Sequence, residues 1–216
     1  MQVSFAPGVA LRGLQLAIKR LADVVFSVLV LVALSPLLLL IALGIKLASP
    51  GPVFYRQRRL GLNGRPFGIF KFRTMHPNAP VLKNPDGSMY TGADDPRVSP
   101  LGRVLRKLSL DELPQFLNVL LGDMSVVGPR PDPVGFEELY EGDERAKLDL
   151  RPGITGWAMV NGRNSIPWKK RVELDAWYVR HYSLWLDVKI FLLTIPLVLL
   201  GRGVHQQGSA SEGHGA

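Results

Sequence analysis

The chain contains no cysteine in 216 residues, which excludes structural disulfides and thiolate zinc sites and fits a reducing compartment. Histidine is scarce as well, with 4 residues. His205 and His214 lie in a glycine-rich tail without helical pairing to other ligand types, so they are assigned no metal. Acids are outnumbered: 18 Asp and Glu against 26 Lys and Arg leave a formal charge of +8. That surplus calls for an anionic partner, whether nucleic acid, acidic lipid headgroups or a phosphorylated substrate, and does not choose among them. What is plentiful is turn chemistry, with 22 Gly and 17 Pro, which predicts a loop-rich active surface. The length suits one domain plus a membrane element.

Residues 1–18 are weakly patterned. Lys19 and Arg20 then precede an uncharged, mostly apolar run from Val24 to Ile45. As a straight helix it would extend about 33 Å, enough to cross a hydrocarbon core of roughly 30 Å. A cleaved signal peptide fits poorly, because the run is too long and no small-x-small site follows. Ser35-Pro36 interrupts the run near its middle. Proline removes a helix hydrogen bond, and the Ser35 hydroxyl can satisfy a carbonyl freed there. Basic residues flank both ends, Arg12, Lys19 and Arg20 before and Lys46, Arg56, Arg58 and Arg59 after. Two readings stay open on these residues: a kinked crossing, or a helix over 19–48 that enters, breaks at Pro36 and returns to the same face.

The richest stretch runs from Ser109 to Pro131. Asp111 and Glu112 precede apolar residues at helical spacing, Leu113, Phe116, Leu117, Leu120 and Leu121, up to Gly122. Acids at a helix start are favoured by the peptide dipoles, which predicts an ionised Asp111. An ionised aspartate can act as a nucleophile. Neighbouring helical residues point about 100° apart, so the two acids are expected to divide their labour. The plainer alternative is a capping box between Ser109 and Glu112. Gly128-Pro129-Arg130-Pro131 then holds an arginine on a stiffened backbone suited to a bidentate phosphate contact, or is a surface turn.

Elsewhere, Asn63-Gly64 between Val53–Leu62 and Arg65–Met75 predicts a β-hairpin with a type I′ turn. Its second strand sets Lys71 and Arg73 on one face and Phe70 and Phe72 on the other. The basic face suits an anion site, single-stranded nucleic acid, a membrane surface or plain solvent. Residues 76–100 read as a long loop, and Leu101 to Leu108 as a short helix bearing Arg103, Arg106 and Lys107. A charged, solvated helical segment is expected from Pro133 to Leu150, a loop from Arg151 to Asn164, and a helix from Trp168 to Leu186. Trp177, Tyr178, Tyr182 and Trp185 suit either a core face or a membrane interface. Ile190 to Leu200 is too short to span and can lie in the interface. The tail from Gly203 is expected to be disordered.

Three blocks together resemble the bacterial sugar transferases, the monotopic phosphoglycosyl transferases that start glycan assembly on a polyprenyl carrier. They are KFRTM at Lys71 to Met75, DPRVSPLGRVLRKLSLDELPQFLNVLLGDMSVVGPRP at Asp95 to Pro131, and RPGITGWAMVNGRN at Arg151 to Asn164. The resemblance covers roughly residues 18–200. It implies an α+β fold: a re-entrant membrane helix broken at Ser35-Pro36, a small hairpin, and short amphipathic helices around a loop-rich site. A catalytic domain over 49–202 on the cytoplasmic face of the bacterial inner membrane is implied with it. The implied reaction has Asp111 attack the β-phosphate of a UDP-sugar, releasing UMP and leaving a covalent phosphosugar that undecaprenyl phosphate collects. The product would begin an exopolysaccharide, O-antigen or glycoprotein glycan. Glu112 is implied to associate with Mg²⁺. Arg106 and Arg130 would lie near the phosphates and nucleotide, and Lys71 and Asp175 would be further substrate-binding residues. Membrane phospholipids are implied partners and nucleic acid is not; a homodimer is left open. Met159 departs from the family's glutamine, so a polar contact is expected to be lost there. Ser99-Pro100 replace a commoner threonine and basic residue, and the chain looks like the minimal catalytic form. The rival from another class is a membrane-tethered binder of nucleic acid or anionic lipid. Acids amid a basic surface count against it.

Overall fold

The computed structural model describes residues 7–82 and 95–200. The expected disordered tail and part of the 76–100 loop lie outside them. Helix α1 (Pro7–Ala33) is followed by α2 (Ser35–Ala48), and the two axes are bent by 63°. The break follows from Pro36. In an unbroken helix the N–H of residue 36 would bond the Val32 carbonyl; proline has none, and the Ser35 hydroxyl donates to that oxygen at 2.8 Å. Helix α1 starts well before Lys19, so residues 7–18 continue the helix and do not form a separate segment.

Strands β1 (Phe54–Leu60) and β2 (Pro66–Phe72) pair antiparallel. Asn63 (φ 54°) and Gly64 (φ 73°) both take left-handed backbone, and the Arg65 N–H donates to the Leu62 carbonyl at 3.1 Å, as a type I′ turn requires. Helix α3 (Pro100–Lys107) is capped by Ser99, whose hydroxyl accepts from the Gly102 N–H at 3.0 Å, with Pro100 in its first turn. Helix α4 (Gln115–Leu121) ends at Gly122, φ 92°. Strand β3 (Ser125–Val127) pairs in parallel with β4 (Gly153–Thr155), which lies inside the expected loop.

A short α5 (Trp157–Val160) leads to α6 (Trp168–Arg180) and α7 (Leu184–Leu199). The single helix expected over 168–186 is therefore two. Ser183 starts α7 by accepting from the Leu186 N–H at 3.1 Å. The segment after Pro133 is corrected too: it forms 3₁₀ turns, and its Lys147 is buried, not solvated.

The main core gathers Ile69, Phe116, Val119, Met124, Val126, Tyr178, Val179 and Ile190, with Phe26 and Leu16 of α1 packed on it. A second cluster joins Ile41 and Ile45 of α2 to Phe72 and Leu105. Both arms of the bent pair thus rest on the same domain. Buried polar groups fix α1: Lys19 Nζ donates to Asp187 Oδ2 (2.7 Å) and the Val127 carbonyl (2.8 Å), while Asp23 accepts from Ser125 Oγ and the Val126 N–H. Arg20 donates to the carbonyls of Val119 and Leu120 at the end of α4. Outward stripes stay apolar at helical spacing: Leu14, Ile18, Leu21, Val25, Leu29 and Val32 on α1, and Trp185, Val188, Leu192 and Ile195 on α7. Of the four aromatics, Tyr178 lies in the core and Trp185 faces out, 74% exposed. Among the described residues no single helix is long and apolar enough to cross a membrane; the bent pair meets that test jointly.

Candidate active site

Asp111 and Glu112 do not start α4. They occupy a separate 3₁₀ turn, Leu110–Glu112. Pro114 has no N–H to send back to the Leu110 carbonyl. Leu113 N–H takes that carbonyl instead at 3.3 Å, and the chain tightens before α4 begins. The capping box is absent. Ser109 sits in left-handed backbone (φ 56°), with no side-chain cap bond.

The two acids then diverge. Glu112 Oε1 accepts from Lys71 Nζ at 2.6 Å and from Arg130 at 2.9 Å. Asp111, 9% exposed, has no hydrogen bond to its carboxylate among the described residues. Burial pushes the Asp111 carboxyl up, with Lys71 opposing and the charge of Glu112 reinforcing the rise. This direction reverses the one expected from a helix dipole. Burial acts on Glu112 in the same sense, but Arg130 and Lys71 outweigh it and hold that carboxyl well below its usual range.

Each cation arrives from a different element. Lys71 is on β2, whose outer edge is stitched to α4 by the buried Asn118: its Oδ1 accepts from the Phe70 N–H and its Nδ2 donates to the Gly68 carbonyl, both at 2.8 Å. Arg73, expected on the same face, instead donates to the carbonyls of Ser49 and Pro50 at the end of α2. Arg106 on α3 donates to Thr74 Oγ1 at 2.9 Å. The approach of α3 requires Gly102, since a Cβ there would lie 2.0 Å from the Thr74 carbonyl oxygen. Arg103 and Lys107 point to solvent.

Arg130 follows β3 on a backbone pinned on several sides. Its N–H donates to Asp175 Oδ2 (3.1 Å), Arg59 donates to the Pro131 carbonyl (3.2 Å), and the Gly153 N–H donates to the Pro129 carbonyl (2.8 Å). Asp175, 1% exposed, lies beneath Arg130; its Oδ1 has no partner, and burial pushes its carboxyl up to about 6. Met159 has not lost its contact: its Sδ accepts from Arg130 NH1 at 3.5 Å, a weak bond.

One residue of the charged site, Arg163, is not among those expected from the sequence. Arg163 (φ 53°) donates to Ser109 Oγ at 3.1 Å, joining two non-glycine residues in strained left-handed backbone beside the acid pair. Its signal was the Gly162-Arg163 turn, read only as loop.

Lys71, Arg106, Arg130 and Arg163 thus surround two carboxylates, a net positive site in which one acid is tied and the other is free. No group of three His, Asp or Glu among the described residues could cage a metal. Glu112 Oε2 is uncommitted, and a Mg²⁺ shared with substrate phosphates needs only one or two protein carboxylates. The residues therefore fit an ion that Glu112 would hold through that oxygen.

Known proteins resemble this chain in sequence. The bacterial sugar transferase family profile matches residues 14–201. The uncharacterized sugar transferase EpsL of Bacillus subtilis is 43% identical over 189 residues, 88% of this chain and 91% of that protein. The exopolysaccharide production protein ExoY of Sinorhizobium fredii is 45% identical over 196 residues, 86% of this chain and 87% of its own. The UDP-glucose:undecaprenyl-phosphate glucose-1-phosphate transferase of Escherichia coli is 45% identical over 194 residues, 86% of this chain but 41% of its own length. The match covers nearly the whole chain and every element of the charged site, so the chain belongs to the bacterial sugar transferase family.

Proposed function

We propose that the protein transfers a sugar phosphate from a UDP-sugar to undecaprenyl phosphate through a covalent intermediate on Asp111, initiating glycan assembly. The observation that carries this reading is the unequal pair: Glu112 is held by two cations, while the adjacent Asp111 keeps its lone pairs uncommitted. A nucleophile must not already be spent in hydrogen bonds. In the first step an Asp111 oxygen attacks the β-phosphorus, and the bond from that phosphorus to the bridging oxygen breaks. UMP leaves with the oxygen. In the second step an oxygen of the lipid phosphate attacks the same phosphorus and Asp111 is released as carboxylate.

The excess of cations over acids suits a diphosphate whose charge grows on the leaving oxygen. Arg130 and Arg163 are placed to meet the donor's phosphates, and Lys71 to hold Glu112 oriented. Glu112 would hold Mg²⁺ through its uncommitted oxygen, and the ion when bound would neutralise phosphate charge. Relatives named for glucose-1-phosphate transfer to undecaprenyl phosphate support the substrate class. Asp175, expected to touch substrate, acts in this reading through the Arg130 backbone.

The lipid acceptor explains the apolar stripes of α1 and α7. Re-entry of α1–α2 into one leaflet, from the cytoplasmic side of the inner membrane, is the topology that keeps both arms on one domain. A crossing would carry Ile41 and Ile45 away from Phe72 and Leu105.

The test is a single-turnover incubation with a panel of UDP-sugars and Mg²⁺, without lipid acceptor. It should release at most about one UMP per enzyme and leave a phosphosugar on the peptide containing Asp111, seen by mass spectrometry. UMP that appears only when undecaprenyl phosphate is added would mean direct transfer and would sink the covalent route.

A further inference from the structure

Beneath the site lies a second charged cluster of opposite sign. Lys147 is 4% exposed, and its Nζ lies 2.5 Å from Asp132 Oδ2 and 3.3 Å from Asp175 Oδ2. The two carboxylates bracket Arg130. Asp132 follows it by two residues, and Asp175 Oδ2 accepts from the Arg130 N–H itself. Tyr140 and Trp168 donate to the two oxygens of Asp132 at 2.8 and 3.0 Å, and the Leu60 N–H donates to the Asp132 carbonyl, so that end of the segment is anchored as well.

Two buried carboxylates this close would repel without a cation between them. The repulsion would act on both sides of Arg130, whose guanidinium donates to Glu112. Among the described residues Lys147 has no other charged partner and does not reach Asp111 or Glu112. Its one charge therefore serves the backbone that carries Arg130.

We propose that Lys147 is a positioning residue for transfer: by joining Asp132 to Asp175 it fixes the Pro129-Arg130-Pro131 backbone and thereby the reach of the Arg130 guanidinium. The role rests on the sugar-phosphate transfer reading. It goes beyond that reading because Lys147 touches neither substrate nor acid pair.

The test is a double-mutant comparison on the full chain in nanodiscs, following UMP release from UDP-glucose with undecaprenyl phosphate. Lys147→Met should lower kcat/KM at least tenfold when Arg130 is present and less than twofold in an Arg130→Ala background, because the arm it positions is then gone. Lys147→Arg should recover part of the loss. Equal losses in the two backgrounds, or a Lys147→Met enzyme at the wild-type rate, would overturn the positioning role while leaving the transfer reading intact. A wild type inactive with every UDP-sugar would sink the transfer reading and this role with it. If Lys147→Met does not fold, Asp175→Leu goes through the same comparison; it keeps the Lys147–Asp132 pair and removes the acceptor of the Arg130 N–H.

Discussion

The protein contains two charge clusters, one on each side of Arg130, built on opposite plans. In the upper one, four cations surround Asp111 and Glu112, and the Asp111 carboxylate is left without a hydrogen bond among the described residues. In the lower one, two acids share the single Lys147 and almost every polar atom is engaged. The upper cluster is short of negative charge and fits an anionic ligand; the lower is sealed and holds the backbone between them. The difference shows how a chain with a large positive surplus can keep a free carboxylate. Glu112 absorbs Lys71 and Arg130, Thr74 and Ser109 hold Arg106 and Arg163, and Asp111 remains open.

The largest effect should come from Asp111→Asn. The change is nearly isosteric but removes the oxyanion that attacks in the proposed reaction, so transfer should fall by on the order of 10⁴-fold or more. The fold should be unaffected, because no hydrogen bond to that carboxylate is lost. UMP release together with a thermal melt reads both. Activity lost in step with stability would mean that Asp111 is structural, and the contrast between the clusters would break.

The mirror-image change is Asp132→Ala in the lower cluster. It leaves Lys147 only the longer contact to Asp175 and strands the donors of Tyr140 and Trp168; removing one partner of a buried ion pair costs about 3–5 kcal/mol. Chemical denaturation should register that loss. A variant as stable as wild type would show that the lower cluster is not holding the fold.

How much of this was legible in the sequence depended on distance along the chain. The Pro36 break, the Asn63-Gly64 turn and the Gly122 stop are local chemistry, and each stands where the residues put it. The acid pair was legible as a pair. Its unequal bonding was not, because Lys71 and Arg130 reach Glu112 from 41 and 18 residues away. Lys147 was hidden for the same reason: in a run of charged residues nothing local marks the one that is buried. The β3–β4 pairing spans three residues on each strand, too short for a period to show. The boundary between α6 and α7 was readable at Ser183 and was overlooked, because the aromatic run continues across it.

A smaller effect tests the junction of the two clusters. Arg130→Lys keeps the charge and the backbone pinned by Asp175, but gives up the planar fork that reaches Glu112 and Met159 together. A point charge replaces that geometry poorly, so kcat/KM should drop about 10- to 100-fold with little change in stability. Near-normal turnover would mean that the Pro-Arg-Pro segment is scaffold alone.

The smallest effect should come from Pro36→Ala, which probes whether the domain alone sets the position of the membrane arm. Alanine restores an N–H that can bond the Val32 carbonyl, now taken by the Ser35 hydroxyl, so the local cause of the 63° bend disappears. Straightening is opposed by tertiary contacts: α1 is tied down through Lys19, Arg20 and Asp23, and α2 through Ile41 and Ile45 against Phe72 and Leu105. An unbroken apolar helix of this length fits a bilayer, so the variant should shift a minority of molecules to a crossing topology, while the packed arms keep the majority in the proposed re-entrant one. Single cysteines replacing Arg12 and Asn63 report the outcome, since the chain has none of its own. In the wild type both should label from one side of intact cells. In Pro36→Ala the Asn63 position should become partly accessible from the other. Labelling from opposite sides in the wild type would refute re-entry. Complete conversion by Pro36→Ala would place the whole determinant in the proline and none in the packing of α2.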